Sequence, residues 1–234
     1  MIADLIRWFG DPLNWQGNES IPFRVLEHLS YSVVSLLIAA AIAIPLGLWI
    51  GHTGRGGVLV AGLANAFRAI PTFGLLIAAV ILLSGIFPGP SNLAYVVPAI
   101  VALVVLAVPP ILAATYAGVQ GVDPSARDAA YGMGMTGGQV LLRVESPNAM
   151  PLIMSGLRSA MLQVISTATL AAYAGLNGLG RYIFDGQANR DFPMMLGGAL
   201  LVGVLAIVAE LALAGAQRAV VSTGLRQNRR NTPR

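Results

Sequence analysis

Long apolar windows separated by short polar interruptions dominate the 234 residues of this chain. No Asp, Glu, Lys or Arg occurs from Leu29 to Gly54, from Ala69 to Val122, from Ser159 to Gly180 or from Phe192 to Ala209. A helix needs about 20 apolar residues to cross roughly 30 Å of hydrocarbon, so these windows hold about five spans, the second being long enough for two. The pattern places the spans at about Leu29 to Ile50, Val58 to Ser84, Leu93 to Val119, Leu157 to Ala174 and Pro193 to Leu213. Arg68 and Pro71 interrupt the second, which predicts either a long kinked helix or a surface-lying piece before a span that starts near Ala69. Phe87-Pro88-Gly89-Pro90-Ser91-Asn92 reads as the turn between the second and third. The expected fold class is an all-α polytopic membrane protein, with a transmembrane domain over 29–216.

The flanks differ in kind. Residues 1–28 mix charges with Trp8, Phe9, Trp15 and Phe23, without the continuous apolar core a secretory signal needs, and read as an interfacial segment with its indoles at headgroup depth. Residues 217–234 form a basic tail holding Arg218, Arg226, Arg229, Arg230 and Arg234. A cytoplasmic membrane flank, solvated and without a specific partner, accounts for that tail better than nucleic-acid binding does. If the polar stretch at 123–151 is cytoplasmic, its side receives Arg55, Arg127, Arg143 and the tail, against Arg7, Arg24, Arg181 and Arg190 on the other. The arginine balance thus predicts the N-terminus outside and the C-terminus inside.

That polar stretch, DPSARDAAYGMGMTGGQVLLRVESPNAMP, is the longest interruption. Asp123-Pro124 fits the cap and first turn of a helix, with Ser125 an alternative cap. Ala126, Ala129, Ala130 and Met133 then recur at helical spacing, a small-residue face with Asp128 beside it. Gly132, Gly134, Gly137 and Gly138 permit a sharp turn, and QVLLRVE reads as a second short helix that stops before Pro147. A helix, turn and helix between two spans can pass on a rigid-body push, and small residues let a partner seat closely.

Composition changes the picture at one point. The chain is 56% hydrophobic and 10% charged, carries no cysteine, and all 14 of its basic residues are arginine. A phosphate loop of the GxxxxGK[ST] kind needs a lysine, so if transport uses ATP, another subunit hydrolyses it. GLNGLG at 175–180 has neither the preceding strand nor the later acidic partner of a dinucleotide site and reads as a turn. His28 and His52 stand isolated, no His, Cys and carboxylate cluster has metal-ligand spacing, and no nucleophile and base pair marks an enzyme.

Asp128-Ala129-Ala130, three residues, Gly134, nine residues and then Val144-Glu145-Ser146-Pro147 resemble the cytoplasmic coupling-loop signature of ABC importer permeases: Glu-Ala-Ala, Gly, and Ile, any residue, Leu-Pro. Asp128 stands where the family has Glu, Val144 where it has Ile and Ser146 where it has Leu. Ala129, Ala130, Gly134 and Pro147 match directly. GMGMT, QVLLRVESP, TATLAA at 167–172, GLNGLG and FRAIPTFGLL at 67–76 are similar to permeases for the quaternary-ammonium osmoprotectants glycine betaine, carnitine and choline, over about 150 residues. The resemblance implies the type I ABC importer permease fold, with a coupling helix between the third and fourth spans, in loop 120–151, and Arg143 and Glu145 belonging to the loop. It also implies a second permease chain, the same or homologous, in an inner membrane. Two cytosolic ATPase subunits would bind ATP and Mg, and a substrate-binding protein would deliver ligand from outside. Methionine-type permeases have comparable loops. A nucleotide-independent secondary transporter or scaffold is the alternative of another class, although no inverted repeat with paired broken helices is evident.

Inside the spans, an arginine at mid-membrane costs about 2.5–3.5 kcal/mol on insertion scales, so Arg68 lines a watery path or reaches back to the interface. Glu210, near the end of the fifth span, has Arg218 as its expected partner. Ser166, Thr167, Thr169 and Tyr173 form the most polar intramembrane group and, with Arg68, are the candidate translocation path. Their hydroxyls could equally serve helix packing. Aromatics are only 7% of the chain. Because cations are recognised by aromatic faces, the high-affinity cage is expected in the separate binding protein.

Overall fold

The computed structural model describes residues 1–86 and 93–221, and every regular element among them is helical. The turn expected at 87–92 and the tail from residue 222 on, with Arg226, Arg229, Arg230 and Arg234, lie outside the described residues, as does the side chain of Arg68. The helices are α1 (Ile2–Gly10), α2 (Ile21–Thr53), α3 (Gly57–Ala69), α4 (Thr72–Leu83), α5 (Leu93–Gln120), α6 (Pro124–Gly132), α7 (Gly137–Val140), α8 (Ser146–Ala171), α9 (Gly180–Asn189) and α10 (Phe192–Val220). Among the described residues α2, α5 and α10 are long and apolar enough to cross a membrane, and α4 with its 3₁₀ extension to Ile86 is a shorter apolar helix. The expected fourth span is α8, whose 26 residues suffice in length but carry Arg158 and Gln163.

Two boundaries differ from the expectation, at the start of α2 and at Pro147, and the choice left open at Arg68 and Pro71 falls on separate helices. The second span is two helices, because Pro71 disfavours helical backbone at Ile70 and its carbonyl starts a new ladder by accepting from the Leu75 amide at 2.9 Å. Helix α2 begins at Ile21, ahead of the charge-free window. Its polar first turns are partnered within the fold only in part: buried Arg24 pairs with Glu19 at 3.2 Å and with Glu27 at 3.6 Å, and the His28 ring Nε2 meets the Ile165 carbonyl at 3.0 Å, while Arg24 Nε and His28 Nδ1 are buried without a hydrogen bond. Pro147 does not stop the second loop helix, which runs on into α8. Residues Leu141–Glu145 form a π turn in which the Ser146 amide reaches back five residues to the Leu141 carbonyl. That widening spares the proline ring the clash an α-helical turn would impose.

The chain divides into two compact units. The first comprises Met1–Ile38, Ile70–Ala107 and Met161–Ala209. Its core gathers Leu76, Ala99, Ala102, Ala171 and Leu176. The N-terminal segment is folded back on itself, the Asn14 amide donating to the Trp8 carbonyl and the Trp15 indole to the Phe9 carbonyl, both at 2.7 Å. The Trp8 ring packs on Gly197 and edge-on to Tyr182, with ring centroids 5.3 Å apart, so this indole is spent on protein contacts.

The second unit comprises Ala39–Ala69, Val108–Ala160 and the residues from Glu210 on. Here helices approach closely through small residues, as packing in lipid favours. A methyl group at Gly47 would stand 2.7 Å from Thr115 Cβ, one at Gly51 2.7 Å from Val119 Cβ, and one at Gly156 2.6 Å from Ala114 Cβ. These positions press α2 and α8 onto α5. Glu210 is paired with Arg158 rather than with the expected Arg218: Arg158 Nε donates to its Oε1 at 2.9 Å, and Nη1 donates to Gln217 Oε1 at 2.8 Å. Sequence distance hid this bond, since Arg158 sits mid-helix in α8 with no partner on its own element.

Gly51→Leu forces α2 off α5, and overpacking of this kind costs about 1–3 kcal/mol. Thermal unfolding of the purified chain in detergent should show a clear fall in Tm for Gly47→Val and Gly51→Leu. Gly203→Ala, where nothing lies within 4 Å of an added methyl, should hold or slightly raise it.

Candidate functional site: a braced loop

The loop between α5 and α8 begins where sequence reasoning put it. Asp123 caps α6, accepting from the Ser125 amide at 2.9 Å and the Ser125 hydroxyl at 2.8 Å. Those donors hold its carboxyl below the usual carboxylate range. Helix α6 closes on Gly134, whose φ of 83° suits glycine, with the Gly134 amide donating to the Tyr131 carbonyl at 2.9 Å. Gln139 then reaches back to accept the Thr136 amide at 2.8 Å, starting α7. Thr136 and Gln139 have the spacing of a capping box, a signal present in the sequence.

The loop owes its fixed shape to Glu145. This side chain is 1% exposed and therefore needs ionic or hydrogen-bonding partners. Arg127 Nε lies 2.9 Å from its Oε1, and the His52 Nδ1–H donates to its Oε2 at 2.6 Å. Arg127 also donates to the carbonyl of Val119 in the last turn of α5. Gln120 donates to the Gly51 carbonyl at 2.6 Å. Gly137 leaves room for the ring: an added methyl would meet His52 Nε2 at 3.3 Å. One carboxylate thus joins α6, the end of α2 and the start of α8.

The sequence-chosen loop residues separate into two groups. Asp128, Ala129, Gly134, Arg143 and Pro147 are exposed; Ala130 and Glu145 are buried and Val144 is half-buried. Among the exposed ones stand Tyr131, Met133 (72% exposed) and Leu142 (68%), large apolar groups on an otherwise polar loop. Sequence reasoning missed Arg127 and His52. His52 lies 93 residues from Glu145, and no local spacing announces the pair.

The candidate path residues lie elsewhere. Ser166 donates to the Leu162 carbonyl at 2.9 Å and Thr169 to the Ile165 carbonyl at 3.3 Å, so both hydroxyls serve their own helix. Thr167 is buried, whereas Tyr173 is 63% exposed. Arg68 is on α3. Gly175 and Gly178, with φ of 96° and 105°, turn the chain out of α8, so GLNGLG is a turn between helices.

The described residues form helices with a braced, partly apolar loop between long ones, and comparison with known proteins gives the class of the chain. Residues 43–223 match the family of binding-protein-dependent transport system inner membrane components, and the chain belongs to that family. Among its relatives is a glycine betaine/carnitine/choline transport system permease protein of Bacillus subtilis (strain 168), 36% identical over 213 residues, which cover 91% of this chain and 94% of the relative. A choline transport system permease protein of the same organism is 34% identical over 215 residues, covering 92% and 94%. A solved chain of the MetNI methionine ABC transporter in an inward-facing conformation superposes with a TM-score of 0.75 at 22% identity, covering 91% of this chain and 99% of that one. The fold is that of the type I ABC importer permeases, and the chain is a membrane-embedded permease subunit of an ABC importer. That membership sets aside the secondary transporter and the scaffold.

Glu145→Ala leaves Arg127 facing an empty buried site, a change that costs about 3 kcal/mol for a buried pair. Hydrogen exchange should accelerate across 124–145 while amides of 99–107 keep their protection. Glu145→Gln, which can still accept from His52, should lose less.

Proposed function

We propose that this chain is the inner-membrane permease through which small quaternary-ammonium osmoprotectants, of the glycine betaine, choline and carnitine kind, are imported at the expense of ATP hydrolysed by a separate subunit. The observation that carries the reading is the near end-to-end similarity to two permeases whose names specify those solutes. The methionine transporter shares the fold at 22% identity, which supports no substrate.

In this reading cytosolic ATPase subunits, holding ATP and Mg, dock on the exposed side of the loop. Asp128, Ala129, Gly134, Arg143 and Pro147 frame the contact, and Tyr131, Met133 and Leu142 supply apolar area. Ala130, Val144 and Glu145 face inward and keep the loop in shape. A push on α6 passes through Arg127 and Glu145 to α8 and, by way of His52, to α2. A second permease chain completes the pathway and a binding protein delivers solute from the outer side. The loop and C-terminus lie in the cytoplasm and the N-terminus outside, as the arginine balance suggests. Asp128 keeps the charge of the family's glutamate with one methylene less reach.

Cells carrying only this system should take up labelled choline or glycine betaine saturably, with no competition by methionine. Methionine uptake without choline or betaine uptake would reject the substrate class. Met133→Asp would bury an unpaired charge against the ATPase and should cut uptake and solute-stimulated ATP hydrolysis by about tenfold or more, with the permease still inserted. Unchanged coupling in that variant would reject the docking surface. Because the chain lacks cysteine, a single cysteine at Ser125 or at Asn18 reports the side of each: a membrane-impermeant thiol reagent should label Asn18→Cys in intact cells and Ser125→Cys only after lysis.

A further inference from the structure

Aromatic rings are scarce in this chain, yet four that are far apart in sequence gather at the turn after α8. Phe73 comes from the first turn of α4, Tyr95 from the start of α5, Tyr173 from the 3₁₀ turn Ala172–Ala174 and Phe184 from α9. Tyr173 stands between two of them, its ring centroid 5.3 Å from Phe73 and 5.6 Å from Phe184, at interplanar angles of 64° and 61°. The Tyr95 ring lies against Gly175, where an added methyl would meet it at 3.4 Å. With φ of 96°, Gly175 is both the turn residue and the gap that admits this ring. Tyr173 is 63% exposed, Tyr95 48% and Phe73 40%.

We propose that Phe73, Tyr95, Tyr173 and Phe184 form a cation–π site on the permease itself, which receives the quaternary ammonium group of the solute in passage. The inference rests on the substrate reading above. A quaternary ammonium has no N–H to donate, so the Ser166 and Thr169 hydroxyls, already bonded to their own helix, offer it little. What attracts it is the negative face of an aromatic ring. Edge-to-face packing turns the electropositive rim of one ring toward the face of its neighbour and sets adjacent faces at steep angles, so a trimethylammonium group beside Tyr173 can meet more than one ring. No charged residue occurs within 69–122 or 159–180, and Glu27 of α2, which accepts from the Asn177 side chain of this turn at 3.0 Å, is itself paired with Arg24 at 3.6 Å. On α9, Arg181 and Asp185 are bonded to each other at 2.8 Å. Weak attraction of this kind lets a solute pause and leave, as a passage site requires. Tyr173 therefore belongs to the path through its ring, in company that sequence spacing did not reveal.

The test uses the intact permease and ATPase complex in detergent, without binding protein, and measures labelled choline by equilibrium dialysis. Tyr173→Leu and Phe73→Leu should each weaken choline binding about fivefold, while Tyr173→Phe stays within about twofold of the original affinity. Tetramethylammonium chloride should displace choline, and dimethylbutanol, the uncharged isostere with carbon in place of nitrogen, should not. Phe184→Leu supplies the same comparison if Tyr173→Leu does not assemble. Leucine variants that bind as the unsubstituted complex does, or equal displacement by the neutral alcohol, would overturn the site. So would a complex that imports choline with its binding protein yet binds none without it. If the complete system imports no quaternary ammonium compound, the substrate reading fails, and the site loses its ligand with it.

Discussion

A carboxylate removed from water has to be held by charge or by hydrogen bonds, and in this chain that requirement falls on Glu145. Its partners come from the first turn of α6 and from the end of the first long helix, so satisfying one buried group ties three elements together. Remove the group and the pieces remain helical by their own propensities, but α8 loses its side-chain links to α6 and to the end of α2. Close glycine contacts along α2, α5 and α8 bring the helix ends near enough for the bonds to form. The polar brace and the small-residue packing are therefore one design: the approach of the helices makes the short hydrogen bonds possible, and those bonds fix the loop that the helices carry.

Much of this was legible in the sequence because it depends on local chemistry. Charge-free windows follow from the cost of ions in hydrocarbon, and α2, α5 and α10 occupy three of them. Asp123 with Pro124 announced a helix start, and Gly134 announced the turn that ends it. What the sequence hid depends on distance. His52 looked isolated because its partner is on another helix, and Arg158 was not foreseen as the partner of Glu210, because a nearer arginine seemed to suffice. Pro147 misled for another reason: a rule about α-helical turns does not hold where the helix widens. The start of α2 at Ile21 was hidden by Arg24, Glu27 and His28, which read as polar but are paired within the fold.

Tyr173 keeps different company in the fold from the one its hydroxyl suggests. The sequence grouped it with Ser166, Thr167 and Thr169 by polarity, whereas the structure groups it with Phe73 and Phe184 by shape. Seryl and threonyl hydroxyls on a helix have a carbonyl one turn back within reach, and two of these three use it. A tyrosine after the helix has no such local partner. Its ring is left to find other rings, and contacts assembled from four separate segments carry no periodic signature.

The π turn at Leu141–Glu145 holds one residue more than an α-helical path between the same ends would need. It is a reservoir of register. A deletion there can be absorbed by reverting to ordinary helical winding, leaving Gly156 against Ala114 and Arg158 against Glu210 on their original sides. Loop length and span orientation are thereby uncoupled, so the exposed face of the loop can be shortened without rotating the helix behind it.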